Sequence, residues 1–223
     1  MKQYVLEITP QSCGHLFSKY GEVTTDDSLI YTPEKVALVV FTGGSDVDPS
    51  LYNENHGKYT SSQPKRDEYE KKIFNLALAA NIPMVGICRG SQFLCVMSGG
   101  KLVQDVRNHS GWHKIKTHDE RVITCNSTHH QMQLPPKSAK ILAYAFPKLS
   151  PNHYLNGDNK KIDVQFETEV AYYPNINAVG IQYHPEWLSE RNPNERDCVL
   201  YAKQVVQEYL FDKEKPERLA ITG

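Results

Sequence analysis

Cys88 stands between Gly86 and Gly90, at the end of one apolar run and the start of a second, helix-spaced one. Gly-x-Cys-x-Gly at such a junction is the cysteine counterpart of the strand-to-helix nucleophile elbow. A sharp turn there forces its central residue into strained backbone angles, and small neighbours let the turn close and a substrate approach. The thiol then lies at a helix N-terminus, where the backbone dipole favours thiolate and cysteine pKa values fall to roughly 3.5–7.5. A buried cysteine with glycines placed for tight packing fits the motif alone equally well.

Two further stretches bear on that choice. In Val179 to Trp187, VGIQYHPEW, His184 and Glu186 flank Pro185 after an apolar run. Residues two apart on an extended chain point to the same side, and proline holds its predecessor extended. Glu186 is therefore placed to accept from one ring nitrogen of His184 while the other faces Cys88, the nucleophile–base–orienter arrangement of a hydrolytic triad. A surface His-Pro-Glu turn is the competing reading. In FTGGSDVDP, a strand leads into Gly43-Gly44, whose backbone N–H groups no side chain obstructs. That loop and the amide of Arg89 make the two halves of an oxyanion hole, where one lost donor costs about 2.7–4 kcal/mol. A glycine turn capped by Asp46 and Asp48 is the alternative, and no Gly-Lys-[Ser/Thr] follows to make it a phosphate loop.

The elements that must position these residues alternate between strand-like and helix-like patterns, which predicts an α/β sandwich around a largely parallel sheet. Tyr4 to Ile8, Val36 to Phe41, Met84 to Ile87 and Ala178 to Tyr183 read as strands. Asp67 to Ala80 reads as a helix with Tyr69, Ile73, Leu76, Ala77 and Ala80 on one face, and Asp67, Glu68 and Glu70 suit its first turn. Arg89 to Ser98 and Asn194 to Phe211 are the other helices. The middle, 101 to 166, is expected to be β-rich, with RVITC, AKILAYAF and KIDVQF as short strands.

The 223 residues suit one domain, 1–223, with a flexible tail over 212–223. A formal net charge of -1 argues against nucleic acid as the main partner. No apolar run is long enough to span a bilayer, and MKQYVLEITP makes a poor signal peptide, so the expectation is a cytoplasmic protein. Five widely spaced cysteines contain no Cys-x-x-Cys pair. Four of them, Cys13, Cys95, Cys125 and Cys198, are expected to be reduced and partly buried.

Taken together, TGGSDVDPSLY, RDEYE, GICRGSQ with SGGKLVQDV, NSTHHQ and VGIQYHPEW, in that order over residues 42 to 187, give a chain that resembles class I glutamine amidotransferases of the Cys-His-Glu branch. Within that branch it resembles γ-glutamyl hydrolases of the γ-glutamyl-γ-aminobutyrate hydrolase, peptidase C26-like, type. The resemblance implies a three-layer sandwich around a mostly parallel, flavodoxin-like sheet with an added β-rich segment. It implies Cys88 as nucleophile, His184 as base and acid, Glu186 as orienter, and the Gly44 and Arg89 amides as oxyanion donors. Gly43, Gln92, Ser127, His129, His130 and Gln131 would hold the glutamyl part of a small-molecule substrate. No metal or organic cofactor is implied. His129 and His130 also admit a zinc reading, which adjacent histidines suit poorly. His109, His113 and His118 form a looser set in an expected loop, read as solvated residues or as residues standing behind the site, with metal binding as the lesser alternative.

The reaction implied is cleavage of a γ-glutamyl amide through a cysteine thioester. A glutaminase subunit feeding ammonia to a separate synthase partner is the nearest alternative, and a catalytically silent binding protein on the same fold is another. A homodimer is also in view. Only 42 residues precede Gly43, so a helix usual there in such proteins must be short or missing, and Cys95 stands where relatives usually carry asparagine.

Overall fold

The computed structural model describes residues 2–212, and the expected tail lies outside them from 213 onward. In chain order the strands and α-helices are β1 (Tyr4–Ile8), β2 (Glu22–Thr24), β3 (Val36–Phe41), α1 (Pro64–Ala79), β4 (Met84–Ile87), α2 (Arg89–Met97), β5 (Lys101–Val103), β6 (Ser110–Thr117), β7 (Val122–Thr128), β8 (Met132–Leu134), β9 (Lys140–Ala145), β10 (Thr168–Tyr173), β11 (Ala178–Ile181) and α3 (Pro193–Val206). They build an eleven-stranded sheet whose main path runs β2-β1-β3-β4-β11-β10-β9-β6-β7, with β5 paired to β8 and β8 to β10. The first five strands of that path are parallel and follow the flavodoxin-like order. The remaining pairings are antiparallel and form the added β-rich part.

The central strands are continuous apolar runs because both faces are covered. Along β3, Leu38 and Val40 join the core that also holds Val199, Ala202 and Val206 of α3 and Leu16 and Phe17 of a short 3-10 helix (Gly14–Tyr20). Val39 and Phe41 point the other way, into a core with Ile73, Phe74 and Ala77 of α1 and Phe93, Leu94 and Val96 of α2. That 3-10 helix and the short turns after β2 stand where a full helix was expected to be curtailed.

Three expectations require correction. KIDVQF forms no strand beyond an isolated bridge at Lys161, and the neighbouring Thr168–Tyr173 takes the place in the sheet. The buried face of α1 is Asp67, Glu70, Ile73, Phe74 and Ala77, which turns Tyr69 and Ala80 outward. Asp67 stands in the first turn as expected, but both acids face inward. His113 lies in β6 and His109 just before it, and both are buried rather than solvated.

Candidate active site

β4 and α2 meet at Cys88, whose backbone sits at φ 51°, ψ -110°. A positive φ is uncommon for a residue with a side chain and costs on the order of 1–3 kcal/mol, held only where the surroundings enforce it. The surroundings here are the two flanking glycines. A β-carbon at Gly86 would fall on the Gly90 carbonyl, and one at Gly90 would fall on the Phe41 carbonyl of β3. The Cys88 N–H donates to Ile181 O at 2.8 Å, tying the bend to β11. Cys88 is 7% exposed.

β11 ends three residues before His184 and delivers its ring beside the bend. His184 Nδ1 lies 2.7 Å from Glu186 Oε1, and Nε2 lies 3.0 Å from Thr128 Oγ1. Trp187 stacks on the ring at a centroid distance of 3.7 Å and an angle of 2°. The Asn126 side chain grips the His184 backbone in both directions, donating to its carbonyl at 3.0 Å and accepting from its N–H at 3.2 Å. Burial works against the imidazolium, but hydrogen bonding and charge from Cys88 and then Glu186 outweigh it and lift the pKa to about 9. The Glu186 carboxylate thus holds one ring nitrogen and the Thr128 hydroxyl meets the other.

The glycine loop lies against both residues. A β-carbon placed on Gly43 would meet His184 Cε1 at 3.3 Å and Cys88 Cβ at 3.7 Å. Gly44 has φ +140°, a region that side chains rarely adopt, and the Arg66 guanidinium fills the space beside it. Arg66 Nη2 donates to Gly43 O at 2.8 Å and Thr42 O at 3.2 Å. Because the peptide is trans, the Gly44 N–H points to the side away from Arg66. Arg89 opens α2, so its N–H has no acceptor within the helix.

The Arg89 side chain is 1% exposed and forms ion pairs with Asp67 and Glu70 of α1. Glu70 also accepts from Arg66 Nε at 2.8 Å, and Asp67 accepts from the Asp48 N–H at 3.0 Å. One buried set of charges therefore fastens the glycine loop, α1 and the elbow helix together. The expectation that these acids suit the first turn of the helix does not reach this role. The signal that could have found them is the pairing of Arg66, Asp67 and Glu70 on one helical face with Arg89 next to the cysteine.

The remaining sequence-selected residues divide. Gln92 Nε2 donates to Gln131 O at 2.9 Å, beside the elbow. Ser127 and His129 are buried, and their side chains are committed elsewhere: Ser127 Oγ to His109 O at 2.6 Å, His129 Nδ1 to Gln131 O at 2.9 Å. Gln131 Nε2 donates to Thr60 Oγ1 at 3.1 Å. His130 Nε2 lies 3.1 Å from Asp46 Oδ1 of the glycine loop and lines a cleft of about 360 Å³ with Tyr59, Asp105 and Arg107. All five cysteines are free and buried. Burial pushes Cys95 up to about 12 and raises Cys13, Cys125 and Cys198 further. Among the described residues, no helix is long and apolar enough to cross a membrane.

Solved structures place this architecture among known ones. A glutamine amidotransferase from Thermotoga maritima superposes with a TM-score of 0.57 at 20% identity, covering 93% of this chain and 86% of that one. In sequence, the γ-glutamyl-γ-aminobutyrate hydrolase of Shigella flexneri is 31% identical over 172 residues, 70% of this chain and 66% of that protein. Protein NtpR of Enterococcus hirae is 27% identical over 175 residues, 73% of this chain and 72% of that protein. The model of the Peptidase C26 family matches residues 23–154. That match spans more than half of the chain, which belongs to the peptidase C26 family.

Proposed function

We propose that this protein is a cysteine-dependent hydrolase of γ-glutamyl amides that releases glutamate from a small-molecule substrate. The observation that carries the reading is the His184 ring, held by Glu186 at 2.7 Å and packed with the elbow cysteine around one point, Gly43, where a β-carbon would touch both. The C26 membership and the identity to a γ-glutamyl-γ-aminobutyrate hydrolase support the same chemistry.

In this mechanism the Cys88 thiolate attacks the γ-carbonyl carbon, since the thiolate rather than the thiol is the nucleophile. The oxyanion accepts from the Gly44 and Arg89 N–H groups. His184, charged at neutral pH, gives its proton to the departing nitrogen, and the C–N bond breaks. A γ-glutamyl thioester and a neutral imidazole remain. The imidazole takes a proton from water, whose oxygen attacks the thioester, and glutamate leaves as the thiolate returns. Glu186 holds the imidazole in the tautomer and orientation required and stabilises its charged form. Gly43, Gln92 and the 127–131 main chain line the glutamyl pocket, with the His130 cleft open to the leaving amine.

The test is a panel of γ-glutamyl amines and free glutamine, read by glutamate release from wild type and Cys88→Ala. Unaided turnover of a γ-glutamyl amine by wild type, lost in the variant, is expected. Turnover confined to free glutamine, and rising sharply only when a synthase is added, would instead favour an ammonia-delivering subunit. Folded wild-type protein that releases glutamate from none of these would favour a silent binding protein.

A further inference from the structure

Behind the NSTHHQ segment lies a buried group of chemistry that the proposed reaction does not use. His109, His113, His129, Glu167 and Glu169 are each at most 8% exposed, and they come from the loop before β6, from β6 itself, from the end of β7 and from the start of β10. Three atoms face one another: His109 Nδ1 at 3.4 Å and His129 Nε2 at 3.7 Å from Glu169 Oε1. The His109 and His129 rings are 4.8 Å apart.

The surroundings of this trio bear on which atoms carry protons. His129 Nδ1–H donates to Gln131 O at 2.9 Å, which leaves Nε2 bare in the neutral ring. Its Nε2 therefore presents a lone pair to a carboxylate oxygen, an arrangement that repels unless something positive stands between them. His109 Nε2 faces Glu167 Oε2 at 3.5 Å. That carboxylate is itself fixed by the N–H groups of Leu149 at 2.6 Å and Ser150 at 2.7 Å and by the Tyr154 hydroxyl at 2.8 Å. In the neutral tautomer with its proton on Nε2, facing Glu167, His109 turns the Nδ1 lone pair toward Glu169. A histidine whose second nitrogen is held by a carboxylate or a backbone carbonyl is the usual outer arrangement of a metal ligand. Both His109 nitrogens, His129 Nε2 and Glu169 Oε2 are buried without a hydrogen-bond partner among the described residues.

We propose that His109 Nδ1, His129 Nε2 and Glu169 Oε1 form a binding site for one divalent cation of the zinc type. Bonds of about 2.0–2.2 Å set the donor atoms of a tetrahedral site roughly 3.3–3.6 Å apart, close to the two separations found. His113 Nε2, 3.0 Å from Glu169 Oε1, is placed to hold the carboxylate. The imidazole and carboxylate donors suit zinc and its first-row neighbours over magnesium or calcium, which take oxygen ligands. The cation would staple the β6–β7 hairpin to β10. It would also fix the segment that presents Asn126 and Thr128 to His184, without touching the reacting atoms.

The experiment uses untagged full-length protein stripped with a strong chelator and titrated with Co²⁺ at neutral pH. One cobalt per chain, with the visible d–d bands of a four-coordinate ion and displacement by Zn²⁺, is expected. His109→Gln should weaken binding by at least about 10-fold, and His118→Gln, at a buried histidine outside the trio, should not. X-ray absorption at the zinc edge of loaded wild type needs no variant and should show a nitrogen/oxygen shell containing two imidazoles. Folded wild type that takes up no cobalt, or binds it without change in His109→Gln, would overturn the site and leave a proton on His109 as the charge between Glu167 and Glu169.

Discussion

The Thr128 hydroxyl lies 3.0 Å from His184 Nε2, on the edge of the ring opposite the nitrogen that Glu186 holds at 2.7 Å. With the ring charged, Nε2–H donates to Thr128 Oγ1, so the threonine holds the proton in readiness. A hydrogen bond to a charged group is worth about 1.5–3 kcal/mol. Thr128→Val should keep the fold, move the alkaline limb of kcat/KM to lower pH and reduce kcat/KM by roughly 10-fold, since 1.4 kcal/mol is a factor of ten. An unchanged pH profile would show that Thr128 plays no part in holding the proton.

The raised pKa of His184 also has a signature in stability. Its folded value is about 9 against an ordinary 6.5. A group raised on folding contributes in full below its unfolded pKa and loses that contribution as pH climbs to its folded one. The stability gap between wild type and His184→Gln should therefore be widest below pH 6.5 and close progressively toward pH 9, as read by urea denaturation. A gap that widens over this range would mean that the ring is neutral in the resting protein.

Glu186→Gln keeps the shape of the orienting side chain but offers the wrong hydrogen-bonding group to the tautomer required. The corresponding change in a Ser-His-Asp hydrolase lowers kcat by about 10⁴. A fall of roughly 10²–10⁴ in glutamate release is expected here, with the native circular dichroism retained. Wild-type turnover by this variant would remove Glu186 from the mechanism.

Arg89 is the buried cation shared by Asp67 and Glu70. Removing one partner of such a group leaves charges stranded, at a cost of about 3–5 kcal/mol. Arg89→Met should destabilise the protein by that amount in urea titration. Arg89→Lys should recover little of it, because a point charge cannot address two carboxylates as the planar fork does. Full recovery by lysine would argue that only the charge matters.

The parallel half of the sheet and the elbow were legible in the sequence because both rest on short-range signals. β3 and β4 are unbroken apolar runs, and Gly86 and Gly90 flank the cysteine at the distances a tight bend needs. What stayed hidden depends on distant partners or on polar residues facing inward. β6 alternates in and out, but two of its inward residues are His113 and Thr117, so no apolar period marks it. β10 carries the fully buried Glu169, whose partners lie in other strands and loops. The inward turn of Asp67 and Glu70 depends on Arg89, about twenty positions away, and no local pattern announces it.

The most direct test of the central claim is to trap the intermediate. Wild-type protein mixed with a γ-glutamyl amide that it turns over, quenched in acid within the first turnovers and mapped by mass spectrometry, should carry one glutamyl group on the peptide containing Cys88, and His184→Gln should accumulate far less. A glutamyl group on another residue, or undiminished glutamate release by Cys88→Ala, would contradict the account.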